Sequence, residues 1–115
     1  MIVYRISSPK WAKDLSGNVA KLYGGRWNSV GLPMLYTSEN ISLAMLEILV
    51  NSSPAFLKNT FSLIKISIPE SAKVLTISDT DLPDDWNMYP YPVSTPKIGD
   101  GWLQSFESLA LRVPS

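Results

Sequence analysis

Ile2, Tyr4 and Ile6 alternate with Val3 and Arg5, a period of two that predicts a first strand. Ser7-Ser8-Pro9 breaks it, and Pro9 is placed to open a short helix over residues 9–14. Ser16-Gly17-Asn18 has turn chemistry, and residues 19–23 carry no decisive period. Gly24-Gly25 frees the backbone for conformations closed to other residues, or for close approach to a ligand, and Arg26-Trp27-Asn28 follows at once. A plain turn explains a glycine pair equally well. Gly31-Leu32-Pro33 is a second turn, and a short strand is expected over residues 34–37.

The next stretch is the most apolar of the chain. Thr37 or Ser38 can cap a helix expected over residues 39–50. Its Ile41, Leu43, Ala44, Met45, Leu46, Ile48, Leu49 and Val50 leave no broad polar face, and a helix apolar all round is expected to be buried all round. Glu47 interrupts it. A buried carboxylate is costly unless paired, so Glu47 meets a cation, lines a ligand cavity, or surfaces at the helix edge.

Asn51-Ser52-Ser53-Pro54 ends this helix. Residues 62–68 form a clear strand pattern, with Ile64, Ile66 and Ile68 inward and Leu63, Lys65 and Ser67 outward. A short strand is expected over 74–77. Residues 79–93, DTDLPDDWNMYPYPV, hold four acids and three prolines and predict a surface loop. Its Trp86, Tyr89 and Tyr91 either cover the core edge, the commoner use of aromatic bulk, or wall a pocket. Thr95 is the expected cap and Pro96 the start of a helix to about residue 106. Gly99 and Gly101 weaken that helix by about 1 kcal/mol each, so close packing is their expected reason. Residues 109–113 form a last strand. Strands outnumber helices without regular alternation, which predicts an α+β fold: a mixed β-sheet with packed helices, in one domain over residues 1–115.

Composition narrows the chemistry. With 45% hydrophobic and 17% charged residues the chain is globular. Ten basic and ten acidic residues cancel, so neither direct nucleic-acid binding nor membrane binding is expected. Lys10, Lys13, Lys21 and Arg26 load the first quarter, and Asp79, Asp81, Asp84 and Asp85 cluster late; solvated loops explain both. The absence of cysteine removes disulfides, thiol nucleophiles and zinc–thiolate sites. The absence of histidine removes the Ser-His-Asp triad and any imidazole acid or base. No metal site is expected. The N-terminal MIVYRIS has an arginine where a signal peptide needs an unbroken apolar stretch, and no apolar run is long enough to span a bilayer, so a cytoplasmic location is expected.

Three separated blocks, YGGRWNSVGLPMLYTSENISLAMLEIL, YPYPVSTPKIGDGWL and LALRVPS, together resemble the RES domain family. The resemblance runs over essentially the whole chain. It implies a toxin of a type II toxin–antitoxin system, partnered by an Xre-like helix-turn-helix antitoxin, with a fold similar to the ADP-ribosyltransferase toxins. It implies an enzyme that degrades NAD by cleaving the nicotinamide–ribose bond, by phosphorolysis or hydrolysis, in the manner of an NAD phosphorylase or glycohydrolase. The alternatives are a protein ADP-ribosyltransferase, or a non-catalytic remnant that binds NAD or antitoxin. NAD is then a substrate and inorganic phosphate a candidate acceptor, with no prosthetic group.

Position by position, the family's arginine falls on Arg26, its tyrosine on Tyr36, its glutamate on Glu47 and its serine on Ser115. Glu47, Arg26 and Tyr36 are the implied catalytic residues, and Arg26, Tyr36 and Ser115 the implied NAD contacts. Nicotinamide leaves a ribose carbon through an oxocarbenium-like state, and it is already cationic in NAD, so no general acid is required. Glu47 can place negative charge by the developing cation and accept from the ribose hydroxyls. Arg26 can grip the pyrophosphate or an incoming phosphate. Tyr36 can stack on nicotinamide. Ser115 can hydrogen-bond a ribose or the amide. Similar proteins continue for several tens of residues past LRVPS, so the resemblance implies a chain truncated at its C-terminus, whose pocket wall is absent or supplied by another chain.

Overall fold

The structure is a computed structural model, and it describes residues 1–51 and 61–114. It contains both helices and strands and is α+β, as the pattern predicts. The expected mixed sheet is two separate two-stranded sheets among the described residues, one antiparallel and one parallel. The chain forms two compact units, one of residues 1–15 and 35–70, the other of residues 16–34 and 71–115.

In the first unit, β1 (Ile2–Ser7) pairs antiparallel with β2 (Ser62–Ser67), from Ile2 opposite Ser67 to Ser7 opposite Ser62. That register puts Val3 opposite Ile66 and Arg5 opposite Ile64, hence on one face. Val3 is buried there, while Leu63, Lys65 and Ser67 lie on the exposed face as expected. Arg5 is tolerated on the inner face because its Nη1 donates to the carbonyls of Trp11 (3.1 Å) and Asp14 (3.3 Å). Those carbonyls belong to the loop after β1, where Pro9–Trp11 makes only a 3-10 turn in place of the longer helix expected.

Ser38 exchanges two backbone bonds with Tyr4 (2.7 and 2.8 Å), an isolated bridge. Residues 34–37 are not a strand: the Met34 N–H donates to the Gly17 carbonyl at 3.4 Å, and it is Ser38 that bridges to β1. Helix α1 (Asn18–Tyr23) belongs to the second unit. Helix α2 (Ile41–Asn51) returns to the first and packs on β1. It starts two residues later than expected. The cap is Asn40, whose Oδ1 accepts from the Leu43 N–H at 2.7 Å, and not Thr37 or Ser38.

The expectation that α2 is buried all round is wrong. Ala44 is buried, but Ile41, Met45, Leu46 (57%) and Leu49 are exposed. A two-stranded sheet is narrow and covers one helix face, so an all-round apolar sequence does not secure all-round burial. The expected helix end at Ser52–Pro54 lies outside the described residues.

In the second unit, α1 is bracketed by Gly17 (φ 77°) and Gly24 (φ 72°), both left-handed positions that suit glycine. Strand β3 (Val74–Thr76) pairs parallel with β4 (Ala110–Arg112). Between them lie the loop expected over 79–93 and helix α3 (Ser94–Ser105). Helix α3 begins one residue before Thr95. Thr95 is fully buried, its hydroxyl donating to the Pro92 carbonyl at 3.3 Å, so it ties the loop to the helix and is not the cap. The helix ends at Phe106, a left-handed residue at φ 55°. Trp102 Nε1 donates to Ser108 Oγ (2.9 Å), and Ser108 Oγ to the Ala110 carbonyl (2.8 Å), which joins α3 to β4.

Candidate active site

The Gly24-Gly25 pair does more than turn the chain. The Gly24 N–H closes α1 on the Ala20 carbonyl at 2.7 Å. Gly25 and Asn28 then exchange backbone bonds (3.0 and 3.4 Å), so Arg26 and Trp27 form the tip of a tight loop. Asn28 is 1% exposed, and its Nδ2 donates to the carbonyls of Ala20 (2.9 Å), Leu32 (3.0 Å) and Ser29 (3.3 Å). One amide therefore satisfies three carbonyls that would otherwise be costly to bury.

Helix α3 supplies the next two anchors. Gly99 lies so close to Trp27 that a Cβ there would sit 1.6 Å from the Trp27 carbonyl oxygen. Asp100 accepts from the Ser29 N–H (2.8 Å) and the Ser29 hydroxyl (2.5 Å), one on each carboxylate oxygen. Close packing thus accounts for Gly99, as expected. It does not account for Gly101, around which nothing lies within 4 Å of a Cβ.

Arg26 is held from the acidic, proline-rich loop. Its Nη1 donates to the carbonyls of Trp86 (2.7 Å) and Met88 (3.0 Å), and its guanidinium carbon lies 6.0 Å from the centre of the Tyr91 ring. Both hydrogen bonds use Nη1, so Nη2 and Nε are not spent on them. Tyr91 also lines a cleft of about 310 Å³ with Gly24, Val30, Pro92 and Lys97. Of the two roles open to the loop aromatics, Tyr91 therefore walls a pocket, while Tyr89 is largely exposed.

Tyr36 and Glu47 stand in the first unit, on either side of the bridge at Ser38: Tyr36 two residues before it, and Glu47 on α2, which packs on β1. Arg26 stands in the second unit. Ser115 lies outside the described residues. Of the three surroundings considered for Glu47, the side chain is exposed at the helix edge, yet partial desolvation pushes its carboxyl above the usual carboxylate range. The described residues contain no cluster of His, Cys, Asp or Glu able to hold a metal ion. No helix among them is long and apolar enough to cross a membrane.

Sequence reasoning passed over Asn28 and Asp100. Neither has a local signal: the carbonyls that Asn28 satisfies and the serine that Asp100 grips are defined only by the folded loop. Gly99 did carry a signal, as a glycine inside a helix pattern.

Comparison with known proteins extends this picture. The family model described as RES domain matches residues 2–115. A protein named "Toxin Res" from Photorhabdus laumondii is 41% identical over 116 residues, covering 100% of this chain and 74% of its own length. Another "Toxin Res", from Yersinia enterocolitica, is 39% identical over 116 residues, covering 100% of this chain and 76% of its own length. A "Prs ADP-ribosylating toxin" from a Sphingobium species is 37% identical over 108 residues, covering 90% of this chain and 66% of its own length.

Proposed function

Because the chain belongs to the RES domain family, we propose that it is a toxin that consumes NAD by breaking the bond between nicotinamide and ribose. The observation that carries this reading is its kinship with proteins named as toxins, along the whole chain for two of them and along 90% of it for the one named ADP-ribosylating. Transfer of ADP-ribose requires NAD as donor and rupture of that same bond. The chain's lack of histidine and cysteine fits a reaction that needs charge stabilisation and orientation, with no proton donor for the leaving group.

In this reading Arg26 binds the pyrophosphate through the part of its fork not spent on Trp86 and Met88. Glu47 faces the developing positive charge on the ribose and accepts from its hydroxyls. Tyr36 stacks on nicotinamide, and Ser115 contacts a ribose or the amide. An oxygen of inorganic phosphate, or of water, bonds to the ribose carbon as nicotinamide leaves with the bonding pair. A raised carboxyl at Glu47 makes turnover fall at acid pH, where the carboxylate is protonated. An Xre-like helix-turn-helix antitoxin restrains the toxin in the cell. The second reading, transfer of ADP-ribose to a protein, is favoured by the name of the Sphingobium relative.

Chromatographic separation of nicotinamide, ADP-ribose and phosphorylated ADP-ribose, with and without phosphate and with a candidate acceptor protein, tests both. Nicotinamide release that depends on phosphate supports phosphorolysis; label on the protein supports the second reading. Glu47→Gln is expected to lower turnover about a hundredfold or more, the scale of losing one electrostatic partner of a transition state. Unchanged turnover in that variant would falsify the assignment.

A further inference from the structure

We propose that the cleft beside Arg26 binds the adenosine half of the dinucleotide, with Tyr91 as the stacking wall and Lys97 as a phosphate contact. This rests on the reading of NAD as substrate and adds to it a site for the half of the molecule that does not react.

Tyr91 belongs to both the arginine's surroundings and the cleft. Its ring lies 6.0 Å from the Arg26 guanidinium carbon and also lines the cleft, so the arginine and the cleft share a wall. A pyrophosphate held at Arg26 has a nucleoside on each side of it, and the cleft takes the one that extends past Tyr91. Its volume of about 310 Å³ stands at the lower end of ligand cavities, roughly 300–1,000 Å³, which suits a nucleoside and not a whole dinucleotide.

The lining fits a base. Val30, Pro92 and Pro96 present apolar surface beside the tyrosine. A purine stacks on an aromatic face whatever its edge chemistry. Gly24, at φ 72°, adds no side chain, so its backbone is open to close approach. Lys97 is exposed and supplies a mobile positive charge, matched to phosphate as a point charge where Arg26 offers a planar fork. The cleft is also preformed. Asn28, one of its lining residues, is pinned by its three carbonyl partners, and Ser29, another, is gripped by Asp100. A preformed wall loses little freedom on binding.

The test compares AMP, ADP-ribose and nicotinamide mononucleotide by titration calorimetry, alongside the KM for NAD. Val30 is 68% exposed, so Val30→Trp fills the cleft without burying new bulk in the core; Lys97→Ala removes the exposed cation. Val30→Trp and Tyr91→Ala are each expected to weaken AMP and raise the KM for NAD about tenfold, the scale of losing one base stack. Lys97→Ala is expected to weaken AMP more than adenosine. If the wild-type protein binds no AMP, or if Val30→Trp leaves both AMP affinity and the KM for NAD unaltered, the cleft is not the adenosine site. Because AMP binding needs no turnover, a protein that binds AMP here but does not cleave NAD refutes the catalytic reading and leaves the cleft assignment standing. Cleavage of NAD with an unaltered KM in Val30→Trp does the reverse.

Discussion

Two glycines in one helix should respond to the same substitution with opposite signs. Gly99 and Gly101 both lie inside α3, and alanine at either position gains about 1 kcal/mol of helix propensity. At Gly101 nothing opposes that gain, because no atom lies within 4 Å of the new Cβ. At Gly99 the new Cβ would stand 1.6 Å from the Trp27 carbonyl oxygen and 2.6 Å from its carbon, so the loop must retreat by about 1.4 Å to restore even a 3.0 Å contact. The obstacle is backbone, which no rotamer change relieves. Overpacking of this kind costs about 1–3 kcal/mol or more, and the strain falls on a loop already fixed by Asn28 and Asp100. The net expectation is Gly99→Ala destabilised by about 2 kcal/mol and Gly101→Ala stabilised by about 0.5–1 kcal/mol. In urea, at a slope of about 1–3 kcal/mol/M, the Gly99→Ala midpoint falls by roughly 1 M and the Gly101→Ala midpoint rises. If both midpoints rise together, Gly99 is not held by the Arg26 loop, and the preorganisation argued for that loop fails with it.

Asn28→Asp keeps the shape of the side chain but turns an acceptor towards three carbonyls; it should cost about 1–3 kcal/mol. The new carboxyl is raised in the fold, so the deficit should be smallest in acid and grow as pH rises, which urea midpoints across the acid range would reveal. Glu47 also has a raised carboxyl, so its favourable contribution is present below the ordinary carboxylate range and is lost as pH rises through the folded value. Glu47→Gln should therefore flatten the pH dependence of stability there, and an unaltered profile would contradict the desolvation argument. Glu70 is the opposite case: the N-terminal ammonium at 2.9 Å lowers its carboxyl, so this contribution is present at neutral pH and lost in acid, and being fully exposed it should fade with added salt. Phe106, left-handed at φ 55° and 92% exposed, should gain about 1 kcal/mol on replacement by glycine, read as a higher melting temperature.

Local pattern was enough for the elements whose information is local. The alternation at 62–68 predicted both β2 and the face it buries, and the prolines and acids of 79–93 predicted a loop, because period and backbone restriction are properties of neighbouring residues. The α+β class, the family, and a chemistry without imidazole or thiol were likewise legible in the chain. Burial was not. The all-apolar helix containing Glu47 exposes Ile41, Met45, Leu46 and Leu49, because what covers a helix depends on the width of the sheet it meets and not on its own composition. Capping shifted from Ser38 to Asn40 for a related reason: Ser38 is taken by its bridge to Tyr4, a partner 34 positions away. The surroundings of Arg26 were also beyond local reading. Its partners, Trp86 and Met88, are 60 and 62 positions distant, and its loop is shaped by a glycine and an aspartate of α3. The sequence by itself determined the α+β class, the family and the absence of imidazole and thiol groups. The tertiary structure decided how Arg26 is aimed, because aim is set by carbonyls and backbone contacts that any residue type can supply and that only long-range folding brings near.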